Sequence, residues 1–312
     1  MSTSSLGPLS RRKFMQGAAA LTAGLSTGMV PSPAFSVRSQ DATIRVGLVG
    51  AGGRGTGAAV NAARVPEATD VDTRVEIVAV GDLFEDRLDE SVANLEEQLG
   101  DRFVADAAHQ FVGWDAYEKV LDSDLDYVIL ATPPAFRPMM FEAAVDRGIH
   151  VFMEKPVAVD SAGIRRVMAA ADRADAQNLK VVAGTQRRHD AGYRATMDRI
   201  HGGAIGEVVA GQVYWNQGGL WLREREPGMS DMEWQVRNWL YFTWASGDHI
   251  VEQHVHNIDV ANWALQAHPV RAVGVGGRQV RTDPSYGHIF DHFAVELEYP
   301  NGARITSMCR QQ

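Results

Sequence analysis

The stretch VGLVGAGGRGTGAA, residues 46–59, leaves a chain few ways to fold. An apolar run ends in Gly50, Gly52 and Gly55 at G-x-G-x-x-G spacing, and an Ala-rich run follows at once. A strand that turns this sharply into a helix needs Gly50 for the turn, Gly52 for close approach of a pyrophosphate to the backbone, and Gly55 for helix packing. The loop Gly50, Ala51, Gly52, Gly53, Arg54, Gly55 then offers backbone N–H groups and a helix N-terminus to an anion. Asp82 closes the next apolar run, VEIVAVGD. A carboxylate there accepts both hydroxyls of a ribose and repels a 2′-phosphate. NAD is therefore the expected cofactor, with NADP as the alternative because Arg54 and Arg87 soften that repulsion.

The same texture repeats downstream. TIRVGLVG, VEIVAVGD, LDYVILATPP, HVFMEKP and LKVVAGTQ read as buried strands, with FRPMMFEAAVDRG and DSAGIRRVMAAADRADAQN among the amphipathic stretches between them. This alternation predicts an α/β fold, a doubly wound dinucleotide-binding domain over residues 43–187. Residues 188–312 read as a second, α+β domain with a largely antiparallel open sheet. Its strands are EVVAGQVYWNQ, VRAVGVGGRQ, FAVELEY and ARITSMC, the last two joined by the hairpin signal Pro300-Asn301-Gly302. One helix is expected from about Asp248 to Leu265. The sequence stops at Gln312 directly after a strand; an uncovered edge there would be a liability, so this domain is expected to lack its C-terminal strands.

Composition narrows the partners. The net charge is −9 and no Lys/Arg block follows the first fifteen residues, which excludes a nucleic-acid partner and favours small or neutral substrates. Cys309 is the single cysteine, so the chain forms no intrachain disulfide and no cysteine zinc site. Residues 1–36 read as a targeting segment: Arg11 and Arg12, then a Gly/Ala/Thr-rich run to Val30 that is too short to span a bilayer stably, then a Pro/Ser stretch. Ser10-Arg11-Arg12-Lys13-Phe14-Met15 resembles a twin-arginine export signal, which implies the twin-arginine machinery as a partner and a periplasmic or otherwise exported protein.

Candidate chemistry lies in three places. FMEKP sets Glu154 and Lys155 at the end of a parallel strand, where ligands bind in this architecture and a lysine can exchange a proton with a substrate hydroxyl. In GDHIVEQHVHNIDVANWAL, helical spacing puts His249, Glu252, His256 and Asp259 on one stripe and His254 on the apolar side. A carboxylate four residues before His256 would orient the imidazole and raise its basicity; a solvated helix face with chance neighbours is the bland alternative. His249, Glu252 and His256 could also approach one ion, but ligands on two turns of one helix converge poorly and no metal is expected. GTQRRHD brings Gln186, Arg187 and Arg188 to the cleft, where the arginines either clamp a polar or acidic sugar or form an interdomain salt bridge. Trp215, Trp221, Trp234, Trp239 and Trp244 suit sugar rings, cores or interfaces.

GLVGAGGRG, VILATPP, HVFMEKP and the later helix together resemble the Gfo/Idh/MocA family, relatives of glucose-fructose oxidoreductase and inositol dehydrogenase, from Thr43 to the end. The resemblance implies that Lys155 contacts the nicotinamide ribose and substrate, with Pro156 shaping its turn. It implies cofactor contacts at Thr132, Pro133 and Glu154; Phe136 and Arg137 stand where members carry a histidine. The family's D-x-x-x-H-x-x-D becomes Glu252, His256 and Asp259, with His256 as catalytic base and Lys155 as its partner. The implied activity is hydride transfer from a secondary hydroxyl of a sugar, cyclitol or glycoside to a tightly held NAD, in a homo-oligomer. NAD-assisted glycoside hydrolysis is the rival reading.

Overall fold

The computed structural model describes residues 43–69 and 71–312; the twin-arginine-like stretch lies outside them. Strands β1 (Ile44–Val49), β2 (Val75–Asp82), β3 (Gln110–Val112), β4 (Tyr127–Leu130), β5 (His150–Met153) and β6 (Val181–Ala183) form one sheet of order β3-β2-β1-β4-β5-β6. Every pairing in it is parallel. Parallel neighbours require crossovers, and the helices supply them. On one face lie α1 (Gly53–Ala63) and α2 (Glu85–Leu99), on the other α3 (Ala116–Leu121), α4 (Arg137–Asp146) and α5 (Ser161–Ala176).

Side chains of β1 divide between these layers because strand residues alternate. Val46 and Leu48 join Ala59, Ile77 and Leu95, whereas Val49 joins Phe141, Val145 and Val151. In α2 the buried residues Leu88, Ser91, Leu95 and Leu99 recur at helical period, and burying Leu95 completely contributes roughly 1.5–3 kcal/mol. The one polar member of that stripe is satisfied: Ser91 Oγ and Thr56 Oγ1 share a hydrogen bond of 2.7 Å.

After α6 (Ala191–His201) a second sheet forms from β7 (Ala210–Gln217), β8 (Arg271–Gly277), β9 (His292–Glu298) and β10 (Arg304–Gln311), in order β7-β10-β9-β8. Two of its pairings are antiparallel and β10–β7 is parallel. The expectation that the last strand is an open edge is corrected: β10 is interior, and β7 and β8 are the edges. Its inward residues Ile305, Ser307, Cys309 and Gln311 are all buried. Cys309 lies between Phe293 and Trp215 in the paired strands, and burial pushes its thiol up to about 12. The outward row Val275, Ala294, Met308, Tyr214 crosses all the strands, with Val275 73% exposed.

Between β7 and β8 come α7 (Asp231–Arg237), α8 (Asp248–Glu252) and α9 (Val255–Leu265). The expected single helix over residues 248–265 is thus broken at Gln253 and His254. His254 N–H donates five residues back, to His249 O at 3.0 Å, so the helical ladder slips there. The two sheets belong to one compact unit, and the site lies where the first meets α7 to α9.

Candidate active site

At the end of β1 the chain turns through Gly50, whose φ is +94°. A Cβ there would sit 2.6 Å from the backbone nitrogen of Thr132, so only glycine fits. At Gly55 a Cβ would meet Gly50 O at 1.9 Å, which is what allows α1 to pack so near the turn. At Gly52 and Gly53 a Cβ would meet nothing within 4 Å. That bare space faces an α1 N-terminus without a side-chain cap, the setting for a phosphate. The residues present therefore fit a dinucleotide.

Asp82 Oδ2 accepts from Ala51 N–H at 2.7 Å and its Oδ1 from Phe84 N–H at 3.0 Å. Burial raises the pKa of this carboxyl, against the pull of those backbone donors. Each oxygen keeps a lone pair for a ribose hydroxyl. Gly50, Gly52, Gly53, Arg54, Thr132 and Pro133 line the same cavity of about 530 Å³, and so do Trp221, Arg237 and Trp239.

Lys155 follows β5 and crosses to α8. Its ammonium donates to Glu252 Oε1 at 2.8 Å and to Glu252 O at 2.5 Å. The second Glu252 oxygen accepts from Gln253 Nε2. Burial raises the carboxyl of Glu252, opposed chiefly by Lys155. Beside this pair Glu154, itself buried, accepts from Arg54 Nε at 2.6 Å. Arg137, unassigned a role by sequence reasoning, lies buried nearby: its guanidinium donates to Pro156 O, and burial brings its pKa down to about 10 while Glu154 and Glu252 pull it upward. A charged residue in the apolar run FRPMMF was its signal. Charge therefore alternates from the glycine loop into the second half, with direct pairs at Arg54–Glu154 and Lys155–Glu252 and Arg137 acting on both carboxylates at a distance.

His256 opens the first turn of α9, buried, with its ring stacked on Trp215 at 5.7 Å and 27°. The broken helix undoes the expected Glu252–His256 geometry, and Glu252 turns to Lys155 instead. The expected rise in basicity is corrected too: burial, with Lys155 and Arg187, lowers the imidazole to about 4, and Asp259 opposes them. His249 pairs with Asp248 at 2.9 Å, and His254 Nε2 shares a hydrogen bond with Ser307 Oγ at 2.8 Å inside the core. Among the described residues no group of three or more His, Cys, Asp or Glu side chains converges on a common point for an ion.

The two arginines of GTQRRHD part company. Arg188 grips Asp259 with two bonds, 2.8 and 2.7 Å, and lies over Trp263. Asp259 is thereby engaged away from the imidazole. Arg187 donates to Asn257 Oδ1 and rests 5.4 Å from the Trp215 ring and 5.6 Å from that of Tyr193. Gln186 is exposed beside them. Asn257 was not singled out by sequence, and Trp215 was named only among five tryptophans left open between sugar rings, cores and interfaces, because strand alternation gives it no distinction from a core aromatic.

Residues 44–182 match the GFO_IDH_MocA model, described as an oxidoreductase family with an NAD-binding Rossmann fold, and residues 193–312 match the GFO/IDH/MocA C-terminal domain. Inositol 2-dehydrogenase 3 of Saccharopolyspora erythraea is 27% identical over 263 residues, 84% of this chain and 65% of that one. Myo-inositol 2-dehydrogenase of Thermotoga maritima is 23% identical over 260 residues, 83% and 66% of the two chains. The chain thus spans about two thirds of the length of these relatives. The scyllo-inositol dehydrogenase of Lactobacillus casei, solved with NAD(H) and scyllo-inositol, shares the fold with TM-score 0.64 and 20% identity, over 86% of this chain and 70% of that one. The aldose-aldose oxidoreductase of Caulobacter crescentus, solved with glycerol, gives 0.65 and 19%, over 86% and 71%.

Proposed function

Because the chain belongs to the Gfo/Idh/MocA oxidoreductase family, we propose that it oxidises a secondary hydroxyl of a sugar or cyclitol with NAD. The observation that carries this reading is the Lys155–Glu252 pair at the end of β5, joined through buried charge to the dinucleotide loop. Gly52, Gly53 and Asp82 would hold the cofactor, which supplies the hydride acceptor that no side chain can provide.

The protein's own part is to position and deprotonate. With its pKa near 4, His256 is neutral at neutral pH and keeps a lone pair for the hydroxyl proton. Lys155 donates to the same oxygen, and Glu252 holds it in reach. Trp215 offers an apolar face to the ring, and Arg187 supplies spare N–H donors beside it. The stack on Trp215 fixes the imidazole plane, so the base is oriented by aromatic packing rather than by a carboxylate.

The test is a panel of inositols, aldoses and glycosides incubated with NAD⁺. A carbonyl product with stoichiometric NADH is the expected result. Free aglycone with no net change in nicotinamide absorbance would replace this reading with redox-neutral glycoside cleavage.

Export and a homo-oligomeric state belong to the same proposal. The motif Arg11-Arg12 supports export through a route that moves folded proteins, and hence cofactor retention outside the cytoplasm. Replacing both arginines by lysine should keep the protein in the cytoplasmic fraction. Light scattering should give a mass of two or more chains.

A further inference from the structure

We propose that residues 221–239 complete the adenosine end of the cofactor site, with Arg237 as the clasp that slows release of the dinucleotide. The proposal rests on the NAD-dependent reading above. Asp82 marks the adenosine end, since a carboxylate at the close of the second strand accepts ribose hydroxyls. The cavity around it does not end within the first sheet's layers. Its opposite wall is Trp221, Arg223, Val236, Arg237 and Trp239, all from the second half of the chain.

Arg237 closes the wall at that end. Its guanidinium donates to both oxygens of Asp86, at 2.9 and 3.0 Å, and lies 3.8 Å over the Phe84 ring. Phe84 and Asp86 come two and four residues after Asp82, so the joint is fastened beside the ribose position. The indoles of Trp221 and Trp239, 5.9 Å apart, give a purine an aromatic wall.

The segment carrying these groups is braced from within. Ser230 Oγ caps α7 by accepting from Glu233 N–H at 3.1 Å, and Glu233 in turn accepts from Arg237 Nε at 3.1 Å. Trp234 donates its indole N–H to Arg223 O at 3.0 Å and meets Phe242 edge to face. The segment is thus internally tied, and the Arg237 joint is where it fastens to the dinucleotide-binding half. Bound dinucleotide leaves this side only when the joint opens.

Dissociation of NADH from the full-length protein, followed by stopped-flow tryptophan fluorescence during a chase with excess NAD⁺, tests the clasp. Arg237→Ala and Asp86→Asn should each raise the off-rate about tenfold, with association little changed. The double variant should be no faster than the faster single, because the two residues form one joint. Arg237→Lys, which keeps the charge and loses the paired bonds, should fall between. Asp86 is exposed at the start of α2, so its variant tests the joint even if Arg237→Ala fails to fold. Unchanged off-rates in Arg237→Lys and Asp86→Asn, with NADH still bound, would overturn the clasp and leave the proposed function standing. A wild-type protein that binds no NADH would overturn both.

Discussion

Around Gly52 and Gly53 the cleft wall is bare backbone, whereas around Lys155 it is a run of alternating charges with Glu154, Arg137 and Glu252 buried at its centre. The first is made by leaving atoms out. Four glycines within six residues let a strand, a turn and a helix approach one another, and no side chain is needed to hold an anion. The second is made by bringing distant residues together: Lys155 meets Glu252 across 97 positions, and Arg54 meets Glu154 across 100. A bare wall tolerates no addition, and a charged one tolerates no subtraction, since a single lost partner strands a buried charge.

The sharpest way to break this contrast is Lys155→Ala. Turnover should fall by about a thousandfold or more, while NAD titration should give an affinity within a few-fold of wild type. If cofactor binding is lost as well, the two walls are not independent. Next in size are two glycine variants that look alike on paper. Gly55→Ala drives a Cβ to 1.9 Å from Gly50 O, and should cost about 1–3 kcal/mol of stability together with cofactor binding. Gly52→Ala meets nothing within 4 Å; its thermal midpoint should stay put while NAD affinity drops about tenfold. Equal losses of stability in both would remove the distinction between packing and ligand glycines.

A smaller effect concerns pH. His256 must be neutral to accept a proton, so kcat/KM should hold level through weak acid and fall only as pH drops through about 4. Stability should respond earlier. His254 and His256 both have folded values near 4, below the ordinary 6.5. Between those values the unfolded chain binds more protons, so stability declines as pH falls from 6.5 toward 4. Denaturant midpoints across that window check the slope, and His254→Gln should flatten it. The smallest change is Arg188→Gln. Its pair with Asp259 is partly exposed, and its loss should cost about 1 kcal/mol or less with turnover nearly kept.

The sequence made the bare wall readable and hid the charged one, for one physical reason. A glycine loop is local, and spacing within six residues states its geometry. Five of the six parallel strands were legible on the same ground, as short apolar runs with helical stretches between; the three-residue β3 carries too short a run to read. Pairings such as Arg188–Asp259 depend on how the second half folds back, and periodicity is silent on that. The helix over residues 248–265 misled because its heptad-like pattern continues straight through Gln253 and His254. The slipped hydrogen bond there rotates Glu252 away from His256, and no residue in the run, neither proline nor glycine, announces it. Arg237 escaped notice because its partner Asp86 lies 151 positions away.

The buried thiol of Cys309 is the molecule's one sulfhydryl. Sunk in the inward face of an interior strand and held almost wholly protonated, it is sheltered from alkylating and oxidising reagents. Were the chain exported already folded, as proposed above, this group would cross without risk of crosslinking to its neighbours. In the laboratory the same shelter makes it a clock: a thiol reagent added in excess reacts only when the inward face of the second sheet is uncovered. The labelling rate then reads the opening of the second sheet directly, with no reporter to engineer.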